Sequence, residues 1–519
     1  MRPPFFSKLL HRISTGRGTP ARNSSANALV DENRLPGAED WKLTRPALGR
    51  EIEGYASVCS ASSGQTLDLY VNTAAPFYTV QIFRMGWYGG RGARRICGPV
   101  TARGVRQHIP IPDPETGLVD CDWQSPVSLA VGADWRSGVY LAKLEESVGH
   151  CQSYVIFVVR DDDDDADVVF QLPVNTYQAY NFWGGRSSYA WGSGDGLPWG
   201  STPGRPAVVV SFNRPYAAST NPAAAFGMGA GEFLCNVQPV STGYPISSAG
   251  WDYNLVRWLE REGYYVTYVT NVDTQNFQEL FNRRRAFISG AHDEYWSWQG
   301  RANLERALAK GTSLFFLGAN AIYWQVRSEN DRHGRADRVL AIYKENAGEL
   351  DPVLLDNDRF NDYLATTQWR LPPVSRPEDM LIGVYYLMDP VDGDIIVSDA
   401  GHWAFANTGL VSGSRLPGLL GYEVDGLSGN APEGLRVLAA SPAKNLHDPS
   451  RIVVSNMAAY VAPSGAEVFA TGSIQWSWGL DDFNAPRLRT SRLSPAAAQI
   501  TRNVLERFGA RRHSTHRRA

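Results

Sequence analysis

The sequence predicts an α/β protein in two parts, an N-terminal antiparallel β-sandwich followed by a doubly wound domain built on a parallel sheet. Two patterns lead to this prediction. Residues 46–160 contain short segments in which polar and apolar residues alternate, with Gly and Pro between them. Residues 167–508 instead contain continuous apolar runs that alternate with segments of helical spacing. A parallel sheet that is covered by helices on both faces produces this second pattern.

The β-sandwich is predicted from strands that bury one face and expose the other. Successive side chains of a strand point to opposite faces, so alternation of polar and apolar residues indicates a half-buried strand. Four segments alternate in this way: 65–71, 78–84, 138–144 and 153–159. Five consecutive aspartates begin at Asp161. Because like charges repel, we predict that residues 161–166 form an exposed acidic linker.

The second part is predicted to alternate strands and helices up to residue 508. Residues 252–262 have apolar side chains at helical spacing, and Gly263 follows where a C-terminal cap is expected. We take 207–212 as the first strand of the parallel sheet. The other predicted strands are 265–270, 286–290, 313–318, 452–454 and 467–471, and the other predicted helices are 277–284, 299–310 and 494–508.

Composition limits the classes of partner. The 519 residues include 50 Lys and Arg against 53 Asp and Glu, so the net charge of -3 attracts neither nucleic acid nor an anionic membrane. No stretch reaches the about 20 apolar residues of a membrane span, and we expect a soluble, cytoplasmic protein. Five cysteines without CxxC spacing indicate no zinc knuckle and leave one disulfide open. Residues 1–45 and the basic tail 509–519 are predicted to be disordered.

Candidate chemistry is expected where the strands of the parallel sheet end, because loops and helix N-termini converge there. The loop 291–296 contains His292, Asp293 and Glu294. His292 and Glu294 are two residues apart, so in an extended segment both side chains leave on one side and can share a reacting centre. The structural alternative is a core histidine beside acids that favour a helix N-terminus.

Common catalytic motifs are missing from these strand ends. The sequence has no G-x-S-x-G elbow and no Cys directly after these strands, which argues against a covalent nucleophile. The H-E-x-x-H metal motif is missing as well. Tyr177, Tyr180 and Tyr216 lie in neighbouring loops. Phenolates can hold oxidised iron, although pocket-lining aromatics are the simpler interpretation, so metal-assisted and general acid/base chemistry both stay open.

Four longer strings identify a family. They are FRMGWYGG at 83–90, NTYQAYNFWGG at 175–185, GAHDEYWS at 290–297 and GANAIYWQ at 318–325. Together they resemble the family of the N,N-dimethylformamidase large (β) subunit, especially its C-terminal domain. For the doubly wound domain, the resemblance implies a fold related to the glutamine amidotransferases.

The resemblance also implies a metal site. In the amide hydrolase that gives the family its name, two tyrosines and one glutamate hold a mononuclear iron, with a histidine nearby. By motif, Glu294 is expected as the carboxylate ligand, and Tyr180 and Tyr216 as the phenolate ligands. Tyr177 belongs to the same motif as Tyr180 and is the alternative ligand.

The predicted function is therefore iron-dependent hydrolysis of a carbon–nitrogen amide bond in a small molecule. His292 and Asp293 are the expected catalytic residues, no nucleotide cofactor is expected, and a homo-oligomer is left open. The expected pocket residues share the loops of these groups: Tyr177, Asn181, Trp183, Tyr295, Asn320 and Trp324. Two other functions are considered, a non-catalytic protein that binds a carbohydrate or another ligand, and an acid/base enzyme without metal.

Overall fold

The computed structural model describes residues 28–194, 204–237 and 248–513. Residues 1–27 of the predicted N-terminal disorder and residues 514–519 of the basic tail lie outside these ranges. Residues 28–45 differ from the prediction, because they contain helix α1 (Ala28–Asn33) and the buried Trp41, which is 3% exposed. The side chain of Lys143 fixes this segment by donating hydrogen bonds to the backbone oxygens of Asp40 and Lys42.

The N-terminal part contains two sheets that are mostly antiparallel. One has the strand order β1-β3-β6 and the other β2-β8-β7-β4-β5. The predicted segments 65–71, 78–84, 138–144 and 153–159 fall on β3, β4, β7 and β8. The strands are β1 (Ile52–Ala56), β2 (Ser60–Ser62), β3 (Thr66–Thr73), β4 (Phe77–Met85), β5 (Ala93–Arg103), β6 (Val127–Ala130), β7 (Gly138–Glu146) and β8 (Gln152–Arg160).

The second part is organised around a seven-stranded sheet of order β11-β9-β12-β14-β21-β20-β19. The first five of these strands are mutually parallel, and β20 and β19 are antiparallel additions. Their bounds are β9 (Val168–Leu172), β11 (Val266–Thr270), β12 (Ala286–Ser289), β14 (Ser313–Phe316), β19 (Arg436–Lys444), β20 (Ile452–Val461) and β21 (Glu467–Ala470). The predicted alternation of apolar strands and helices is confirmed for most of this sheet.

The prediction that 207–212 forms the first strand of the parallel sheet is wrong. Within the predicted strand 207–212, β10 (Val209–Ser211) pairs antiparallel with β16 (Val339–Ala341) in a small separate sheet of order β10-β16-β15-β13. Its other members are β13 (Tyr295–Ser297) and β15 (Trp324–Glu329). The missed strand of the main sheet is β9, whose five residues are all buried. Strand β9 begins just after the predicted acidic linker and was not predicted as a strand.

The helices and the last sheet complete this part. The helices are α2 (Val174–Tyr180), α3 (Asp252–Glu262), α4 (Asn271–Asn276), α5 (Trp298–Ala309), α6 (Ala347–Leu350), α7 (Pro352–Leu355), α8 (Asp379–Ile382) and α9 (Pro495–Arg507). In place of the predicted helix 277–284, the chain forms α4 and a 3-10 turn at Gln278–Phe281. A long irregular hairpin joins β17 (Tyr385–Ile396) to β18 (Arg415–Gly426). None of the helices in the described ranges has the length and apolarity needed to cross a bilayer.

The acidic linker and the cysteines also have definite surroundings. The carboxylate of Asp164 is buried and forms an ion pair of 2.6 Å with Arg284, at the amino-terminal end of the parallel sheet. The aspartate run is therefore tied to the second part by at least one buried contact and is not wholly exposed.

All five cysteines are free thiols, so the single disulfide left open by the sequence is not formed.

Candidate active site

Loops at the carboxyl ends of three adjacent parallel strands converge. Strand β12 lies between β9 and β14, and the three strands lead into α2, residues 290–294 and residues 317–320. The last two loops touch backbone to backbone. A Cβ atom on Gly318 would lie 1.9 Å from the backbone oxygen of Ala291, directly before His292. This close approach requires glycine and fixes where the His292 loop sits.

Gly318→Ala is expected to lower the free energy of unfolding by about 1–3 kcal/mol, because the added methyl group must displace backbone atoms. Chemical denaturation would measure the change. Gly348→Ala is the matched control, since a Cβ atom at Gly348 in α6 meets nothing within 4 Å and alanine favours a helix. Equal stability of the two variants would contradict the close approach of the two loops.

Three tyrosines surround the carboxylate of Glu294. The Tyr180 hydroxyl donates to Glu294 Oε2 at 2.6 Å, and the Tyr189 hydroxyl lies 2.8 Å from Tyr180 Oη and 3.3 Å from Glu294 Oε1. The Tyr295 hydroxyl makes a short hydrogen bond to that of Tyr189. We name Tyr180, Tyr189, Glu294 and Tyr295 the phenol–carboxylate cluster. Burial and the charge of Glu294 raise the pKa of Tyr180 and Tyr189 well above the usual value, which favours the protonated hydroxyls unless a metal cation binds.

His292 lies beside this cluster among three glutamates. Its Nδ1 is 3.2 Å from Glu232, and its Nε2 is 3.4 Å from Glu294 and 3.7 Å from Glu423. Burial alone would lower the pKa of His292, but the charges and hydrogen bonds of Glu423, Glu232 and Glu294 raise it well above its usual value. The imidazole is therefore held as a buried cation that can donate a proton.

Glu423 is a second proton-carrying group next to His292. Burial raises the pKa of Glu423 well above its usual value, and although His292 opposes the shift, the charges of Glu294 and Asp389 add to it. The polar side chain of Asn320 also opposes the rise in the pKa of Glu423. Because the charge of Glu423 helps to raise the pKa of His292, the two groups hold one proton between them, and the pair can take up and release that proton in general acid/base chemistry.

Asp293 points away from the cluster and anchors the loop. Its carboxylate accepts hydrogen bonds from Gln171 at 2.6 Å and from Asn271 and Ser289 at 2.9 Å each. Burial raises the pKa of Asp293 to about 6, and the three hydrogen bonds oppose that shift. Asp293 therefore has its own buried hydrogen-bond partners, and these are separate from the groups around Glu294. A residue that shuttles protons is expected to lie among the groups around Glu294.

Tyr177 and Tyr180 of the same helix take different partners. The Tyr177 hydroxyl donates to Asp252 Oδ2 at 2.7 Å, and Asp252 Oδ1 accepts the backbone N–H of Ala291 at 3.1 Å. Tyr177 therefore stabilises the His292 loop indirectly, through Asp252. Of the two tyrosines, the structure brings Tyr180 to Glu294.

Asn181, Trp183 and Tyr216 line a different region. Asn181 donates to a backbone oxygen and accepts from the backbone of Trp183, which is a turn-forming role. The Trp183 indole donates to Glu53 at 2.7 Å. Trp183 and Tyr216 share the wall of a cavity of about 480 Å³ between the N-terminal strands and the second part. The Tyr216 ring packs edge-on against Tyr177 at 6.4 Å, so the structure does not bring Tyr216 into the phenol–carboxylate cluster.

The remaining expected pocket residues lie at the cluster. Tyr295 belongs to it, and Asn320 contacts Glu423. The backbone N–H of Trp324 donates to the backbone oxygen of Glu294 at 3.0 Å. These three residues therefore surround the groups that carry the candidate chemistry.

Sequence reasoning missed four residues of the site. Tyr189 is in an aromatic loop, and the density of aromatic residues at 182–191 is the signal that could have found it. Glu232 and Glu423 come from distant segments with no strand or helix pattern that points to this edge. Lys344, whose amine lies 3.3 Å from the centre of the Tyr189 ring, follows the short strand β16, which was not predicted.

Comparison with known proteins gives a consistent match. The family model described as N,N-dimethylformamidase beta subunit-like, C-terminal, matches residues 79–489. The N,N-dimethylformamidase beta subunit of Paracoccus aminophilus is 26% identical over 304 residues, which cover 50% of this chain and 36% of that protein. The same subunit of an Alcaligenes species is 25% identical over 304 residues, with 50% and 36% covered. The match thus spans well under half the length of either curated relative.

Proposed function

We propose, since the chain belongs to the N,N-dimethylformamidase beta subunit-like family, that it is a hydrolase that cleaves the carbon–nitrogen bond of a small, non-peptide amide. The observation that carries this proposal is the convergence of His292 and the phenols of Tyr180 and Tyr189 on the carboxylate of Glu294. Two relatives that carry the name of an amide hydrolase support it.

In the proposed reaction, water adds to the amide carbonyl carbon, the carbon–nitrogen bond breaks, and the amine leaves with a proton. His292 is placed to donate that proton from Nε2, because Glu232 contacts Nδ1 on the opposite side of the ring. Glu423, 3.7 Å from Nε2, is placed to take the proton that the attacking water loses and to pass it to the imidazole, so that both groups return to their starting state. Burial of His292, which is 1% exposed, keeps bulk water away from the proton transfers and strengthens the electrostatic interactions.

The donor atoms of the cluster suit an oxidised iron ion. Phenol and carboxylate oxygens are hard anionic donors once deprotonated, and three oxygen-bearing side chains meet here within hydrogen-bonding distance. We propose that Glu294, Tyr180 and Tyr189 hold iron, with Tyr189 in the place expected for Tyr216. When bound, iron would polarise the amide carbonyl and lower the pKa of a water molecule. No group of three or more His, Cys, Asp or Glu side chains in the described ranges is arranged to hold a metal ion.

Two tyrosine variants test the proposed ligands. We expect the protein as isolated to contain about one iron per chain and to show a tyrosinate-to-iron absorption band. Tyr189→Phe should lose most of the band and at least half of the iron. Tyr216→Phe is the matched control and should keep both the band and the iron, because Tyr216 lines the cavity of about 480 Å³ and lies outside the phenol–carboxylate cluster. Loss of the band in Tyr216→Phe alone would restore the ligand set expected from the sequence.

Other outcomes decide between the alternative functions. Amide hydrolysis by a metal-free, colourless protein that is insensitive to chelators would contradict the iron proposal and favour acid/base catalysis by His292 and Glu423. A protein that hydrolyses none of a panel of small amides and instead binds sugars would contradict the hydrolase itself.

We also propose finer features of fold and assembly. The two N-terminal sheets are proposed to form a β-sandwich, and the parallel sheet with its helices to resemble the glutamine amidotransferase fold. The five parallel strands β11, β9, β12, β14 and β21 support the second assignment. Because both relatives are named as subunits, we propose that this chain also assembles into an oligomer, which light scattering of the purified protein would test.

A further inference from the structure

Lys344 is a buried lysine in direct contact with the phenol–carboxylate cluster. Its side chain is 6% exposed, and it follows strand β16 in a left-handed backbone conformation with φ of 57°. Non-glycine residues adopt this conformation at a cost in free energy that other contacts must offset. The backbone N–H of Lys344 donates to the backbone oxygen of Thr366 at 2.8 Å, which holds the strained residue in place.

The Lys344 amine lies in an aromatic box. Its Nζ is 3.3 Å from the centre of the Tyr189 ring, 5.2 Å from that of Tyr295 and 5.4 Å from that of Trp324. It also donates a hydrogen bond to the backbone oxygen of Ser188 at 3.2 Å. An amine N–H directed at the face of an aromatic ring is attracted by the ring whether the amine is charged or neutral. Lys344 therefore contacts both the ring of Tyr189 and the backbone of Ser188.

The Tyr189 loop needs such a contact. Tyr189 lies between two single turns of 3-10 helix, Trp183–Gly185 and Ala190–Gly192. Within the first turn, Gly184 has a φ of 78°, a conformation that breaks helical regularity. A backbone hydrogen bond of 2.9 Å from Ser188 to Ala179 ties the loop to α2, but the loop lacks a regular backbone ladder, so the position of the Tyr189 hydroxyl depends also on side-chain contacts.

We propose that Lys344 is a positioning residue that clamps the Tyr189 loop over Glu294 and so sets the position of the Tyr189 hydroxyl. The clamp does not depend on titration, because the amine donates to Ser188 in either protonation state. Its effect on catalysis rests on the proposed function. Its effect on the loop does not, and this separates the two ideas experimentally.

Lys344→Met tests the clamp, with Lys143→Met as the matched control. Lys143 is equally buried, at 6% exposure, and also donates to backbone oxygens, but it lies in the N-terminal part. We expect hydrogen exchange of the backbone amides at 187–193 to be about tenfold faster in Lys344→Met, with or without iron bound. Lys143→Met should exchange this loop at the wild-type rate.

Three further readouts connect the clamp to the site. In Lys344→Met the tyrosinate-to-iron band should shift or weaken, and kcat should fall about tenfold with little change in KM. Lys344→Arg, which keeps a charged donor, should recover part of both. Wild-type exchange of the loop in Lys344→Met would overturn the clamp. If the wild-type protein neither holds iron nor hydrolyses amides, the proposed function fails, and the exchange experiment still decides the clamp.

Discussion

Glu294→Gln is expected to abolish amide hydrolysis, with kcat lowered by about 10³-fold or more. Glutamine keeps the size of the side chain but removes the negative charge on which the cluster is centred. Glu294 Oε2 accepts the Tyr180 hydroxyl at 2.6 Å and lies 3.4 Å from His292 Nε2, so the substitution affects the proposed metal ligands and the proton donor together. Kinetic assays on a panel of small amides and elemental analysis for iron would measure the loss.

Glu329→Gln is the control for this experiment. Its side chain is 42% exposed, and its ion pair with Arg327 lies on strand β15, away from the cluster. This variant should keep the wild-type iron content and kcat. Glu294→Gln protein that folds normally but keeps more than a tenth of the wild-type kcat would contradict the placement of the active site. A variant that fails to fold would be replaced by Glu294→Asp, which keeps the charge but withdraws it from Tyr180.

The sequence predicted the fold where one physical signal was strong. Residues 252–262 were predicted as a helix, and α3 occupies that range because its apolar spacing and the glycine cap both point to it. The two failures that concern the central sheet have a common origin. Strand β9 and the strand 207–212 are both short apolar runs, and periodicity cannot show which of the two joins the central sheet. Only the pairing between strands that are distant in the sequence decides which of the two joins the central sheet.

The site was predictable to the extent that it lies on motif-bearing loops. Residues 290–294 were placed at the end of a parallel strand, and the structure has them there, with His292 and Glu294 sharing one side of the chain. Tyr189 and Glu423 could not be found in this way, because Tyr189 reaches Glu294 from an irregular loop and Glu423 reaches His292 from the hairpin of β17 and β18. Their contribution depends on tertiary contacts between segments more than 100 residues apart, which no local pattern encodes.

Arg84→Met is expected to lower the free energy of unfolding by about 3–5 kcal/mol, the largest effect on stability that we predict. Arg84 on β4 and Glu260 on α3 are both fully buried and form two hydrogen bonds of 2.7 and 3.1 Å across the boundary between the two parts of the chain. The guanidinium also donates to the Ser137 backbone oxygen at 2.8 Å. Removing it leaves the buried carboxylate of Glu260 without its paired cation, although Asn33 and Tyr268 still donate hydrogen bonds to it, and chemical denaturation would measure the loss.

The controls for Arg84→Met separate the buried charge from the mere loss of an ion pair. Arg95→Met removes an arginine of β5 that is 42% exposed and paired with Asp40, and it should cost about 0.5 kcal/mol or less. The double variant Arg84→Met/Glu260→Leu should recover part of the stability, because no unpaired charge is then left in an apolar environment. A single variant as stable as Arg95→Met would mean that water reaches Glu260. In that case this contact would contribute little to holding the two parts together, and other contacts between them, such as the buried ion pair of Arg160 with Asp273, would do so.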